Sequence, residues 1–364
     1  MAHRYLRTSI LALTAAFASA PLVSAARAAD FSAEYVFGDS LSDNGNLAEL
    51  LNVENYAQHG YYFGNFPNPP SYHDSFTNGP VAVAGLAKDL GLSLTPSLWV
   101  TGFKDPAGLF GGPSFVPGTN YAVAGALAAT PSAASINLLS QVGAYSAVTS
   151  DHADPDALYV IMIGGNDVRD AALDGTGAGA VTAGVDAELA AISTLSGEDA
   201  KHFLVVNVPN VGLIPEFAQD NPTLAASATA DSQLYDSELA AGLDKLDPSL
   251  GAGSTLQAFD LYDFNANILA NAALFGLTNT TDRCFTDTPL SAATSSACGP
   301  DAENIDSFAY WDDIHPTAKV QALWAAGFSS AVPEPSTWAM LLVGFGSLGL
   351  AGYRRGARAL AARA

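Results

Sequence analysis

Cysteine is scarce in this chain: Cys284 and Cys298 are the two in 364 residues. So few thiols exclude a multi-cysteine zinc module. No His-x-x-x-His pair and no Asp-x-Asp-x-Asp-Gly loop offers another metal-ligand spacing, so neither a metal nor another cofactor is expected. Positive charge is also in short supply. Lys and Arg total 14 against 36 Asp and Glu, for a net charge of -22. Arg4, Arg7, Arg27, Arg354, Arg355, Arg358 and Arg363 fall near the two ends, which leaves the central region more anionic still. Such a surface argues against nucleic acid and anionic lipid as partners, since both need cations to displace counterions. The acidity reads as a solvated face. Internal repeats and long linkers are absent.

The two ends read as addresses. Arg4 and Arg7 precede an apolar stretch over residues 10–20, and Ala26-Arg27-Ala28 follows as a small-x-small cleavage site. That stretch is too short to span a bilayer, so residues 1–28 read as a secretory signal peptide. At the other end, Val332-Pro333-Glu334-Pro335-Ser336 leads into an apolar run over residues 338–352, closed by Tyr353-Arg354-Arg355. The run is marginal for a span, which takes roughly 17–25 residues, and the arginines fit a cytoplasmic stop. In its three parts, residues 332–364 resemble the PEP-CTERM sorting signal of Gram-negative bacteria. The resemblance implies transient C-terminal membrane anchoring and processing by an exosortase-type enzyme. It also implies a protein exported to the cell envelope or the extracellular space, in a producer of exopolysaccharide. In an oxidising compartment Cys284 and Cys298 are expected to form one local disulfide, stapling the loop ahead of residues 312–315.

Residues 29–331 are enough for one large α/β domain. Short apolar runs at 35–37, 120–124, 158–163, 203–208 and 255–261 alternate with Ala- and Leu-rich stretches of helical spacing at 80–90, 136–148, 181–195, 223–246 and 266–274. The alternation predicts a mostly parallel sheet covered on both faces. In such sheets ligands bind beyond the carboxyl ends of the strands. There stand Gly38-Asp39-Ser40, Gly125-Ala126, Gly164-Gly165-Asn166-Asp167 and Pro209-Asn210-Val211-Gly212. Three of these four turns bring a glycine N–H, a hydroxyl or a carboxamide to one rim.

Ser40 sits where a tight turn lifts its hydroxyl off the backbone beside free N–H groups, a placement that suits a nucleophile. Far along the chain, Trp311-Asp312-Asp313-Ile314-His315-Pro316-Thr317 offers an acid and a base at close spacing. An imidazole titrating near neutrality can take a serine proton, and a carboxylate on its far nitrogen fixes the tautomer. Asp312 is the expected carboxylate and Asp313 the competitor. Asp39 and Asp43 are expected to bond backbone N–H groups in the turn and to cap a helix. His59, His73, His152 and His202 read as surface or packing residues. The aromatic segment 56–72 suits either an acyl or sugar site or loop packing.

Taken in order, Gly-Asp-Ser-Leu, Gly-x-Asn-x-Ala-x-x-Gly-Ala, Gly-x-Asn-Asp and Asp-x-x-His-Pro resemble the GDSL/SGNH hydrolase family, from about residue 34 to 330. Phe76-Thr77-Asn78-Gly79-Pro80 is similar to its longer bacterial and plant-type branch. The resemblance implies a flavodoxin-like three-layer α/β/α sandwich with a mostly parallel five-stranded sheet. It further implies ester hydrolysis through an acyl-serine intermediate, with Ser40, Asp312 and His315 as catalytic residues. The oxyanion hole would comprise the N–H groups of Ser40 and Gly125 and the side-chain amide of Asn166. Short-chain acyl esters, lipids and acylated carbohydrates are the expected substrates. A non-catalytic glycan-binding envelope or matrix protein on the same scaffold is the alternative.

Overall fold

Four five-residue strands form one parallel sheet: β1 (Glu34–Gly38), β2 (Leu158–Met162), β3 (His202–Val206) and β4 (Thr255–Phe259), in the spatial order β1-β2-β3-β4. These come from a computed structural model, which describes residues 31–51, 75–102, 117–129, 136–285, 297–298 and 303–332. The terminal segments 1–28 and 333–364, His59, His73 and the aromatic stretch 56–72 lie outside the described residues. Every residue of β2 is buried, as a central strand covered on both faces requires. β4 is the edge strand and is only partly buried.

The segment 120–124 occupies the position of a fifth strand beside β1. Tyr121 and Val123 donate to the carbonyls of Val36 and Gly38, and Val36 donates to that of Thr119. Its pairing amounts to single bridges, Asn120 with Val36 on one side and with Pro96 on the other, where Ser97 N–H donates to Asn120 C=O and Asn120 N–H to Thr95 C=O. Asn46 Nδ2 donates to the carbonyls of Asn120 and Ala122 at 2.9 and 2.8 Å, and Asn120 Oδ1 accepts from Ala122 N–H. With this segment counted, the order matches that of flavodoxin-like sheets, whose switch point falls at the first strand.

Helices α1 (Ala82–Asp89), α2 (Leu138–Thr149), α3 (Gly165–Asp174), α4 (Ala178–Gly197), α5 (Ala225–Leu246), α6 (Leu261–Ala270) and α7 (Ala318–Ala331) complete the three layers. They fall into two groups, α1 with α7 and α6, and α2, α3, α4 and α5 against one another. Asn137 caps α2 by accepting from Ser140 N–H. The run expected over 255–261 stops at Phe259 because Asp260 caps α6, accepting from Asp263 N–H. A second, two-stranded parallel sheet pairs β5 (Asn279–Arg283) with β6 (Phe308–Tyr310). Cys284 and Cys298 are joined in a disulfide, both buried, in a small apolar cluster with Phe76, Ala124, Phe285 and Trp311.

Candidate active site

β1 ends at Gly38, where a Cβ would stand 2.4 Å from the carbonyl of Met162, so glycine is what lets the chain leave β1 against β2. The Gln141 side chain clamps this end. Its Oε1 accepts Gly38 N–H and its Nε2 donates to Gly38 C=O, each at 2.8 Å. The chain then turns on Asp39, whose Oδ1 accepts Leu41 N–H and whose carbonyl accepts the N–H groups of Ser42 and Asp43. Asp43 gathers four backbone donors. Oδ1 takes Gly45 and Asn46, at the start of the helical residues 46–51, and Oδ2 takes Leu47 and Ala124. Burial pushes both carboxyls up to about 6, against the pull of these N–H groups. Both aspartates stand as the sequence suggests, and Asp43 in addition ties the Ser40 turn to the 120–124 segment.

The acid–base turn builds itself around Asp312. Its Oδ1 accepts the N–H groups of Ile314 and His315 at 2.9 and 2.7 Å, while Trp311 N–H donates to His315 C=O. His315 Nδ1 lies 2.8 Å from Asp312 Oδ2, and its Nε2 lies 2.7 Å from Ser40 Oγ. A carboxylate only accepts, so Nδ1 carries the hydrogen and Nε2 is left to accept from Ser40. The Phe76 ring sits 5.1 Å from the imidazole. Ser40 is 8% exposed, His315 5% and Asp312 3%, so the line of hydrogen bonds is largely screened from water. Asp313 faces another partner, Arg283.

Gly125 and Asn166 reach the same rim. Gly125 is exposed, with φ +80°, a conformation glycine adopts freely. Gly164 (φ +105°) precedes α3 as its N-cap, and a Cβ there would stand 2.3 Å from the Tyr235 ring, so the first turn can lie close to α5. Asn166 and Asp167 in that turn hold the loop after Gly125. Asn166 Nδ2 donates to Ala126 C=O at 2.9 Å, and Asp167 accepts the N–H groups of Ala128 and Ala129. An amide has two N–H groups, so Asn166 keeps one more to donate. The helix N-terminus beside it favours negative charge.

A cleft open to solvent begins at Ser40 and Asn166. Its walls are mainly apolar: Leu41, Val211, Ile214, Leu269, Ile314 and Trp324. The sequence gives no clear sign of this channel, because its residues come from the Ser40 turn, the turn after β3, α6, the acid–base turn and α7. Also unforeseen are Arg169, on the cleft wall and paired through Nε and Nη2 with Glu216 at 2.6 Å, and Arg283. His152 and His202 stand apart from the site. His152 Nδ1 lies 2.6 Å from Ser150 O, and His202 packs edge-on against Phe31.

Residues 35–328 match the model of the GDSL-like Lipase/Acylhydrolase family, and residues 331–355 match the PEP-CTERM protein-sorting motif. The motif indicates export to the envelope or beyond. The chain is 23% identical to a GDSL lipase of Tanacetum cinerariifolium, over 83% of this chain and 85% of the relative. It is 27% identical to a GDSL esterase/lipase of Arabidopsis thaliana, over 78% and 81%. A phosphatidylcholine-sterol acyltransferase of Aeromonas hydrophila is 24% identical, over 80% and 87%.

Proposed function

Because the chain belongs to the GDSL-like lipase/acylhydrolase family, whose members here support a hydrolase of ester substrates, we propose that it cleaves carboxyl esters through an acyl-serine intermediate. Ser40 is the nucleophile, His315 the general base and Asp312 the carboxylate that orients the imidazole. The observation that carries this reading is the unbroken line from Ser40 Oγ through His315 to Asp312, at 2.7 and 2.8 Å. As Oγ attacks the ester carbonyl, Nε2 takes its proton, and Asp312 stabilises the imidazolium. The oxygen that becomes negative is received by the N–H groups of Ser40 and Gly125 and by Asn166. Neutral donors suit that task, since they stabilise charge that exists only in the transition state. His315 then returns the proton to the leaving alkoxide. Water repeats the sequence on the acyl-enzyme.

The apolar cleft beside Ser40 takes the acyl chain, and the alcohol part leaves on the open side. Short acyl esters, including those of acylated carbohydrates outside the cell, are the substrates this reading favours. The functional domain is residues 29–331. Residues 1–28 are the export leader, and 332–364 the sorting segment handled by an exosortase-type enzyme.

The test uses the segment from Ala29 to Ala331, exported so that the disulfide forms, with p-nitrophenyl esters of increasing chain length. Ser40→Ala should abolish turnover while leaving the thermal transition in place. A folded protein that turns over none of the esters, or an S40A variant as active as its parent, overturns the proposal. Glycan binding by an inactive protein would then point to the non-catalytic alternative.

A further inference from the structure

Two carboxylates adjoin in Asp312-Asp313, three and two residues before His315, and either could in principle serve the imidazole. The residues between Phe31 and Val332 contain two arginines, Arg169 and Arg283. Both are committed to the surroundings of this turn. Arg283, at the end of β5, bonds Asp313 Oδ1 through Nη1 and Asp220 Oδ1 through Nη2, the latter at 2.7 Å. Its side chain is 16% exposed and that of Asp313 30%. Asp220 ends the short turn Glu216–Asp220, whose first residue donates its N–H to Asp313 C=O at 2.9 Å. Asp313 is thus held by side chain and backbone from one neighbouring unit. Arg169 ties that unit to α3 through Glu216. Arg283 is itself fixed, because Cys284 and Phe285 next to it donate to the carbonyls of Tyr310 and Trp311, directly ahead of Asp312.

We infer that Arg283 is a positioning residue: it holds and neutralises the second carboxylate of the pair, so that His315 is governed by Asp312 alone. The inference rests on the role proposed above for His315. Charged groups reach the turn of the imidazole from several elements, Glu216 and Asp220 among them in their pairs with Arg169 and Arg283. Asp312 and Asp313 belong to its own turn, Asp39 acts on it from the turn after β1, and Arg283 comes from β5. The rings of Phe76 and Trp311 add no charge. With Arg283 in place, a cation shared with Asp220 offsets much of the Asp313 charge. Remove the arginine and an uncompensated carboxylate stands two residues from the base, favouring the imidazolium, which cannot accept the Ser40 proton. A fork of fixed geometry suits two carboxylates at once, a task that a lysine point charge performs less well.

The pH profile of kcat/KM reads this directly. Arg283→Gln should move the acid limb up by about half a pH unit, or about threefold less activity one unit below the midpoint, as expected for a nearby, partly screened charge. Asp313→Asn, which keeps the arginine, should move the limb the opposite way. The double variant R283Q/D313N removes both charges and should bring the limb back near its starting place. Histidine NMR titrations in the S40A background, with His315→Asn to assign the signal, should follow the same order without any turnover. An unmoved limb in D313N, or a double variant displaced as far as R283Q, overturns the inference, and D313N keeps the test open should R283Q fail to fold. An S40A variant that still turns over ester refutes the catalytic reading instead, a result these charge shifts cannot mimic.

Discussion

Glu188 provides a quantitative check on how this domain tolerates its own acidity. It lies on α4 with no exposure to solvent. Its Oε2 accepts the Tyr235 hydroxyl at 2.7 Å, and its Oε1 has no partner. Burial, reinforced by the charges of Asp167, Asp236 and Asp39, pushes this carboxyl up to about 8. The folded chain therefore holds a proton that the unfolded chain releases above its ordinary carboxylate range. A raised folded value gives stability that is fully present at low pH and lost as pH rises through about 8. Between pH 6 and 8 the folded carboxyl passes from almost fully protonated to half ionised, whereas the unfolded one is ionised throughout. At about 1.4 kcal/mol per proton per pH unit, the span removes about 2 kcal/mol. Glu188→Gln cannot ionise and lacks this slope. Urea unfolding of both proteins at pH 6, 7 and 8 should show the variant gaining about 2 kcal/mol on the parent over that range, whatever the fixed cost of the amide. A stability difference that stays constant from pH 6 to 8 would refute a neutral, buried Glu188.

Asp312→Asn should lower kcat on p-nitrophenyl esters by about 10³–10⁴, because the amide can present its NH2 to the imidazole and fix the wrong tautomer; a loss under tenfold would remove Asp312 from its role. Replacing both Cys284 and Cys298 by serine opens a crosslink spanning 14 residues, and should cost about 3 kcal/mol, read as a lower thermal midpoint. An unchanged midpoint would mean that the small apolar cluster around Trp311 holds without its staple. Val211→Trp, in the apolar cleft, should lower the ratio of octanoate to acetate ester turnover by about tenfold, and a ratio that stays put would place the acyl chain elsewhere.

The strands that carry the site were legible because parallel strands buried on both faces are written as short, nearly continuous apolar runs, as in Leu158–Met162. The positions of Ser40 and His315 were legible for a different reason. Glycines mark the turns, and the Asp312–His315 pair folds on itself through its own backbone N–H groups. The β5 strand was not, since Asn279-Thr280-Thr281-Asp282-Arg283 has neither alternation nor apolar residues. It is held by its neighbour β6 and by Gln219, which donates to Thr281 C=O. The cleft was hidden for a related reason, because its walls come from many separate parts of the chain and periodicity reports only on one element at a time. The segment 120–124 lies between these cases. Its short apolar run marks a strand, but the Asn46 amide and the Thr95–Ser97 backbone that bond its outer edge are long-range contacts with no local pattern.

A domain with so many acids and so few cations builds its site mostly from carboxylates bonded to backbone N–H groups. Asp43 holds four, Asp167 two and Asp312 two, and each ties together segments far apart in sequence or closes the turn that carries His315. Amide donors serve as counter-charges that cannot titrate. The two arginines are placed where carboxylates cluster around Glu216–Asp220 and Asp313. Apart from the exposed Asp220, such ties are buried or half-buried, and salt screens them less than exposed pairs. Proton concentration is then the variable that matters, and it acts in opposite senses on fold and function. Asp39, Asp43, Asp167, Glu188 and Asp236 all have folded values raised by burial, so acidification from pH 8 toward 5 favours the folded chain. In the proposed mechanism, a protonated His315 cannot take the proton of Ser40. Activity lost on mild acidification should therefore return at once on neutralisation, with no change in the unfolding transition that indicates damage. Loss of activity accompanied by unfolding above pH 5 would show that the buried carboxyls are not held neutral by the fold.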